Sequence, residues 1–126
     1  ATLETAKELG VSIIAYTPVE SGLLTGKYHK NPELLAKKAP FYRALLKRGI
    51  ERSRKLIRAL ETVGEKYNAT PAQVALNWII YSQGDSVVTI PGVTNPRQAE
   101  DNAGAMKFVL SADEIAELAD VSKAIL

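Results

Sequence analysis

Two short stretches of the chain are apolar at nearly every position. Residues 11–16 read Val-Ser-Ile-Ile-Ala-Tyr, and residues 86–90 read Ser-Val-Val-Thr-Ile. Both are rich in β-branched residues and alternate little between apolar and polar positions, which is typical of strands buried on both faces of a parallel sheet. We therefore predict two buried strands.

Apolar residues recur at helical spacing in most of the remaining chain. Leu3, Ala6 and Leu9 form one such stripe, which Gly10 ends. The predicted helices cover residues 3–9, a short stretch from 32 that Pro40 interrupts, about 50–67, 71–81, 96–104 and 112–125. Residues 17–30 are predicted to be a loop. The helix over 71–81 is apolar nearly all round, so we expect it to be largely buried.

Four of these helices carry a recognisable start signal. Two begin with an asparagine cap followed by proline at the first helical position, and two begin with a capping box. The signals are Asn31-Pro32, Asn95-Pro96, Thr70 with Gln73, and Ser111 with Glu114. Because strands and helices alternate, the chain is predicted to be an α/β protein with a parallel sheet.

Two strands do not make a stable sheet alone, since each leaves an unpaired edge. The pattern therefore describes a segment of a larger α/β fold, or a chain that associates to cover those edges. The chain begins without Met and enters helix-like sequence at once. We interpret this as a sign that a segment precedes it.

Composition narrows the class of protein. The chain has 126 residues, 46% of them apolar, a net charge of +2 and no cysteine. Its size suggests one domain, and without cysteine it has neither disulfides nor thiolate metal ligands. No apolar run approaches the roughly 20 residues that span a bilayer, and no signal peptide is visible. We expect a cytoplasmic protein without membrane contacts.

The candidate site lies where the two predicted strands end. In parallel α/β folds ligands bind beyond the carboxyl ends of the strands, here residues 16–22 and 90–96. The second loop leads into a helix N-terminus, and the first holds glycines, hydroxyls and Lys27, all suited to a phosphate. Tyr16 offers a ring on which a heteroaromatic group could stack. Such loops are also common without a ligand, so the residues alone leave both readings open.

Three segments resemble the aldo-keto reductase family. They are Gly10-Val11-Ser12-Ile13-Ile14-Ala15-Tyr16-Thr17-Pro18-Val19-Glu20-Ser21-Gly22-Leu23-Leu24-Thr25-Gly26-Lys27-Tyr28, then Ala69 to Trp78, then Val88-Thr89-Ile90-Pro91-Gly92-Val93-Thr94-Asn95-Pro96-Arg97-Gln98 with Asp101-Asn102. Their order and spacing cover nearly the whole chain. The resemblance implies the C-terminal part of a (β/α)8 TIM barrel, with its seventh and eighth strands, that binds NADP or NAD without a Rossmann domain.

The same resemblance implies roles for individual residues. Tyr16 would stack on the nicotinamide. Other positions would line the cofactor (Thr17, Pro18, Val19, Ser21), hold its pyrophosphate (Gly22 to Lys27), border the adenosine phosphate (Gly92, Val93, Thr94) and contact the adenine end (Gln98, Asp101, Asn102). Departures from the family pattern are Glu20 in place of a small residue, a short Asp101, and Gly92 in place of a lysine. The last leaves a preference for NADPH resting on Arg97 or on a side chain that the resemblance does not assign.

No catalytic residue is predicted in this chain. The family's Asp, Tyr, Lys and His come from the first half of the barrel. His29, the only histidine, is interpreted as a solvated loop residue, and no carboxylate pair or metal-ligand cluster is visible. We therefore expect the cofactor-binding part of an NAD(P)H-dependent carbonyl reductase, inactive alone. A carbonyl substrate would bind only if the N-terminal half is supplied. The alternative is a non-catalytic binding or assembly module that associates with itself.

A basic segment offers a further alternative. From Lys27 to Arg58 the chain has eleven Lys or Arg residues against Glu33 and Glu51, which could be a nucleic-acid surface. It has few aromatic residues between the charges. The preferred interpretation is a basic rim near the cofactor phosphates with solvated helix faces. Trp78 is interpreted as a core residue rather than a binding platform.

Overall fold

The computed structural model describes residues 2–125 and is an α/β protein with two strands and six α-helices in that range. The elements in chain order are α1 (Thr2–Glu8), β1 (Ile13–Tyr16), α2 (Lys27–Lys30), α3 (Pro40–Tyr67), α4 (Pro71–Tyr81), β2 (Val87–Ile90), α5 (Pro96–Ala103) and α6 (Ala112–Lys123). The 3-10 segments Glu20–Thr25 and Pro32–Lys37 flank α2, and two shorter ones precede β2 and follow α5.

The two strands pair in parallel, as predicted. Ile13 lies opposite Val87, and Tyr16 lies opposite Ile90. Since the strands are parallel and in register, the residues that follow Tyr16 and Ile90 leave the sheet at the same end, where both strands have their carboxyl ends. This places the two predicted binding loops side by side.

The prediction that the strands are buried on both faces is wrong for this chain. Burial alternates along both strands, with one face half-buried. The other face is exposed: Ile14 64%, Tyr16 80%, Val88 54% and Ile90 53%. β2 packs on α4, but the described residues do not cover the opposite face.

The longest helix, α3, has 28 residues and begins earlier than predicted. Pro40 is its first residue rather than an interruption, because the proline ring fixes φ near the helical value and its missing N–H is not needed in the first turn. Asn68, with φ of 51°, ends the helix in the left-handed conformation. Asn31 makes no side-chain cap and precedes a 3-10 segment instead of an α-helix.

The core consists of two clusters along α3. The larger joins α3, α4 and α6 through Ile57, Leu60, Val63, Val74, Ala75, Leu110 and Leu118. The smaller holds the segment before α3 against its first half through Leu23, Tyr28, Leu35, Leu46 and Ile50. Both capping boxes form as predicted, at Thr70–Gln73 and Ser111–Glu114.

α4 is buried over only part of its surface, less than predicted. Val74 to Asn77 are buried, whereas Tyr81 is exposed. Trp78 packs against the larger cluster and its indole Nε1 donates to the Ile115 carbonyl at 3.0 Å. None of the helices within residues 2–125 combines the length and apolar character needed to cross a membrane.

Candidate functional site

The segment after β1 is folded rather than an open loop, contrary to prediction. It forms the 3-10 segment Glu20–Thr25 and then the single turn α2. Thr17, Glu20 and Ser21 have φ values of 51°, 49° and 54°. Such left-handed backbone costs a non-glycine residue about 1–3 kcal/mol. Strain of this kind collects at binding sites, where the surrounding structure holds the backbone in place.

Gly22 lets the backbone and Lys27 approach one another. Its φ is 89°, and a Cβ atom placed there would lie 2.9 Å from Lys27 Nζ. The Thr25 hydroxyl donates to the Gly22 carbonyl at 2.7 Å and closes the turn. Lys27 Nζ lies 4.9 Å from the centroid of the Tyr28 ring. The turn therefore presents an exposed ammonium group directly over a glycine backbone.

The loop after β2 is organised around Gln98. The Thr94 N–H and hydroxyl both donate to Gln98 Oε1, at 2.8 and 3.0 Å. Asn95 caps α5 by accepting from the Gln98 N–H at 3.0 Å. The donors of Thr94 are thus already used within the loop, and a phosphate there would have to displace the Gln98 amide.

A groove of about 550 Å³ runs between the two loops and contains most of the predicted site residues. The end of β1 and the segment after it contribute Tyr16, Thr17, Pro18, Val19, Ser21, Gly22 and Lys27. The loop after β2 contributes Gly92 and Thr94, and α5 contributes Gln98 and Asn102. Eleven of the fourteen residues therefore share one concave surface. The site needs both loops, because each contributes a different wall.

Three predicted residues lie outside this groove. Val93 lines a neighbouring cavity with Asn102. Arg97 and Asp101 face each other on the exposed side of α5, with Arg97 Nε 4.0 Å from an Asp101 carboxylate oxygen. The structure therefore pairs Arg97, the side chain named for a preference for NADPH, with an acidic residue.

Sequence reasoning gave no individual role to three residues that line the groove. Thr25 lay within the range assigned to the pyrophosphate, whereas Ala72 and Ile90 were assigned only to matched segments. Thr25 could have been found from its place between Gly22 and Gly26, where a hydroxyl commonly closes a turn. Ala72 had no such signal, since it enters the site only because α4 begins beside the first loop.

His29 is not a solvated loop residue. It lies half-buried in α2, and its Nε2 is 3.0 Å from the hydroxyl of Ser53, a buried residue of α3. Burial lowers the pKa of His29, and Arg54 lowers it further. The Ile50 backbone and the carboxylates of Glu61 and Glu51 act in the opposite direction.

The basic segment is partly neutralised by acidic residues. Lys30 Nζ lies 2.8 Å from Glu61, and Arg54 lies 2.6 Å from Glu51. Its charges are spread along a helix whose other face forms the core. Over residues 2–125 no three His, Cys, Asp or Glu residues are grouped so that they could hold a metal ion.

Comparison with known proteins agrees with the resemblance. The model of the "Aldo/keto reductase family" matches residues 1–123. The chain is 42% identical over 119 residues to aldo-keto reductase str7 of Strobilurus tenacellus, covering 92% of this chain and 34% of that protein. It is 36% identical to the chloroplastic pyridoxal reductase of Arabidopsis thaliana, covering 92% and 30%. It is also 32% identical to aldo-keto reductase yakc [NADP(+)] of Schizosaccharomyces pombe, covering 92% and 34%.

These matches extend along nearly all of this chain but only part of each relative. The chain spans about a third of the length of the curated relatives it matches. This chain belongs to the aldo/keto reductase family.

Proposed function

We propose that this chain is the NADP-binding part of a carbonyl reductase, and that its strands are the last two of a (β/α)8 barrel in the cytoplasm. The observation that carries the proposal is the groove between the two loops, which gathers Lys27, Gly22 and the exposed Tyr16 ring at one sheet edge. The relative named for NADP(+) supports the choice of cofactor.

The residues of the groove suit the nicotinamide and pyrophosphate parts of a dinucleotide. Tyr16, 80% exposed at the end of β1, offers a flat ring for the nicotinamide. Lys27 and the strained backbone around Gly22 would hold the pyrophosphate by charge and by N–H groups. Gly92 and Thr94 border the opposite wall, and a side chain on Gly92 would meet no atom within 4 Å. The groove therefore has open space beside Gly92, on the wall that would border the adenosine phosphate.

The adenine end is the least prepared part of the site. Gln98 would release Thr94 so that the amide could turn toward the adenosine, and Arg97 would leave Asp101 to meet a 2′-phosphate. Because the Arg97–Asp101 pair is exposed, breaking it costs little, about 0–1 kcal/mol. The preference for NADP over NAD therefore depends on Arg97 in this proposal.

The bound cofactor would supply a hydride for reduction of a carbonyl group. This chain's residues would orient the cofactor and keep its charged groups away from the sheet. The described residues offer no acid with a tuned partner beside Tyr16, so we expect the isolated chain to reduce no aldehyde. If purified chain reduced an aldehyde with NADPH, the division of labour proposed here would be wrong.

The first test is an NMR titration of the 126-residue chain with NADPH, up to millimolar concentrations of the cofactor. We expect weak binding, with shifts concentrated in residues 16–27 and 92–102. Lys27→Ala should weaken binding about tenfold or more, since a hydrogen bond to a charged group contributes about 1.5–3 kcal/mol. Lys47→Ala, an exposed lysine on α3, is the matched control and should change nothing. Absent shifts, or equal effects of the two variants, would contradict the proposal.

A further inference from the structure

Every residue of α2 after the first is anchored through its side chain. Tyr28 is 1% exposed and packs in the smaller core cluster. His29 Nε2 contacts the Ser53 hydroxyl at 3.0 Å, and Lys30 Nζ contacts Glu61 at 2.8 Å. Three consecutive residues thus fix the turn, and Lys27 alone of the four lines the groove. The position of Lys27 depends on how firmly α2 is held.

The hydrogen bond of His29 has a defined direction. The Ser53 hydroxyl donates to the Gly49 carbonyl at 2.7 Å, so its proton is not available to the imidazole. Nε2 must therefore carry the hydrogen and donate to Ser53 Oγ. In this tautomer Nδ1 has a free lone pair, is buried, and makes no hydrogen bond to any residue that the structure describes.

We propose that His29 is a positioning residue for the phosphate-binding turn: neutral, it holds α2 against α3 through Ser53, and when protonated it leaves this place and frees Lys27. This rests on the proposed function, because Lys27 matters only if the groove binds the cofactor.

The reason is the burial of Nδ1. Protonation would place a positive charge on a buried imidazole, and the cost of that burial outweighs the favourable hydrogen bond to the Ile50 backbone. Tilting the ring out toward water relieves that cost but breaks the bond to Ser53. The neutral form is therefore the one compatible with the anchored turn.

The charged groups around the imidazole do not change this conclusion. From α3, Arg54 opposes a second positive charge, while Glu51 and Glu61 favour it. Their ion pairs with Arg54 and Lys30 reduce that attraction. The segments before and after α2 also pack against it, and their charged residues are all exposed: Glu20, Glu33 and Lys37.

The sign of the pH dependence follows from the lowered pKa of His29. The free imidazole takes up a proton near pH 6.5, whereas the anchored one does so at a lower pH. Above about pH 6.5 both are neutral and the anchored turn is unaffected. As the pH falls below that value, the released form gains protons first, so the anchored form and cofactor affinity decline together.

The experiment compares wild type, His29→Gln and Ser53→Ala by NMR titration with NADP⁺ at pH 7.5 and 5.5. Gln places a non-titrating N–H donor near the position of Nε2, so it should keep the anchor at both pH values. We expect the Kd of wild type to rise about two- to tenfold more than that of His29→Gln on acidification, the range for one hydrogen bond. Ser53→Ala should bind about two- to tenfold more weakly than wild type at pH 7.5, because the same hydrogen bond is missing there.

Comparison with His29→Gln also separates protonation of His29 from protonation of the cofactor. The cofactor's own 2′-phosphate has a pKa near 6 and changes charge over the same range, but it does so equally for all variants. Equal acid weakening of wild type and His29→Gln would overturn the inference.

A second readout does not need the cofactor. His29 is the only histidine, so the amide signals of Gly22 and Lys27 should titrate in wild type with one midpoint below 6.5, and stay fixed in His29→Gln. Fixed signals in wild type would also overturn the inference. If the signals titrate but NADP⁺ does not bind, the turn is anchored as inferred and the proposed function is wrong.

Discussion

Gly64 in α3 occupies a position where the neighbouring backbone leaves no space for a side chain. A Cβ atom there would lie 2.4 Å from the Ala69 carbonyl oxygen, in the turn between α3 and α4. That contact is far inside van der Waals distance, and a carbonyl cannot rotate away as a side chain can. Gly64 thus sets how closely the end of α3 meets the start of α4.

Gly64→Ala should destabilise the protein even though alanine favours helix. The gain in helix propensity is about 1 kcal/mol, whereas forcing atoms into a packed contact costs about 1–3 kcal/mol or more. We expect a net loss, measured as a lower urea midpoint.

Gly49 provides the control for Gly64 in the same helix. The atom nearest to a Cβ there is Leu23 Cδ2 at 2.9 Å, the end of a flexible side chain. Gly49→Ala should therefore be close to neutral, because Leu23 can move. A larger loss for Gly49→Ala than for Gly64→Ala would show that rigidity of the neighbour does not decide the outcome.

His29 and Glu114 show why some residues could not be assigned from the sequence. His29 sits in a polar stretch, and the residue that binds it, Ser53, is 24 positions away. Glu114 was correctly predicted to complete a capping box, but its burial and its partners on α3 depend on how α6 packs. Local patterns predict local bonds, whereas the environment of a side chain is set by the fold.

At the scale of elements, a polar cluster joins α3 to α6. Glu114 is 6% exposed and accepts hydrogen bonds from Tyr67 Oη at 2.6 Å, Lys66 Nζ at 3.0 Å and the Ser111 N–H at 2.9 Å. Burial alone would raise the pKa of Glu114, but these donors together lower it to about 2. The carboxylate is therefore stabilised in its charged form.

Glu114→Gln should destabilise the protein most at neutral pH. At pH 7 we expect a loss of about 1–3 kcal/mol, as for a buried hydrogen-bonded charge. Since the folded-state pKa is below its ordinary value, the stabilisation is complete above about pH 4.5. It is lost as the pH falls toward 2, and the difference between the proteins should narrow over that range.

Urea unfolding of both proteins at pH 7, 4 and 3 measures this difference. Asp113→Asn, which changes the neighbouring exposed carboxylate, serves as the control and should give a small effect. A constant gap between wild type and Glu114→Gln from pH 7 to 3 would mean that the charge of Glu114 does not contribute.

Elements with local start signals were predicted well, and those that depend on context were not. Thr70 and Ser111 open helices where expected, because a capping box closes within four residues. Pro40 was misread because a proline can either end a helix or begin one, and packing of Leu46 and Ile50 decides between them. The turn at 20–30 was missed because left-handed residues other than glycine have no strong sequence signal.

At the scale of the whole molecule, the two-stranded sheet has one uncovered apolar face. Ile14, Val88 and Ile90 are each more than half exposed, and both outer strand edges are unpaired within residues 2–125. The apolar sequences of the strands predicted burial on both faces. Such a sequence does not reveal whether the residues that bury a face belong to this chain or to another polypeptide. Barrel strands from a longer protein would cover this face, and so would a second copy.

Self-association of the 126-residue chain is therefore expected. Pairing of the exposed faces would remove apolar surface worth about 25 cal/mol per Å² from water. Analytical ultracentrifugation should give a mass that rises above the monomer value of 13.7 kDa with concentration. Val88→Lys, which places a charge at the centre of the face, should shift the chain toward monomer.

Val109→Lys is the matched control for Val88→Lys. Val109 is 63% exposed but lies in the segment between α5 and α6, outside both strands. Lysine there should leave self-association unchanged, because it adds the same charge without touching the strand face.

If both variants dissociate the assembly equally, net charge rather than the sheet governs association. If wild type remains a 13.7 kDa monomer at all concentrations, a second copy does not cover the face. The exposed face of the sheet would then either remain in contact with water or bind a partner of different sequence.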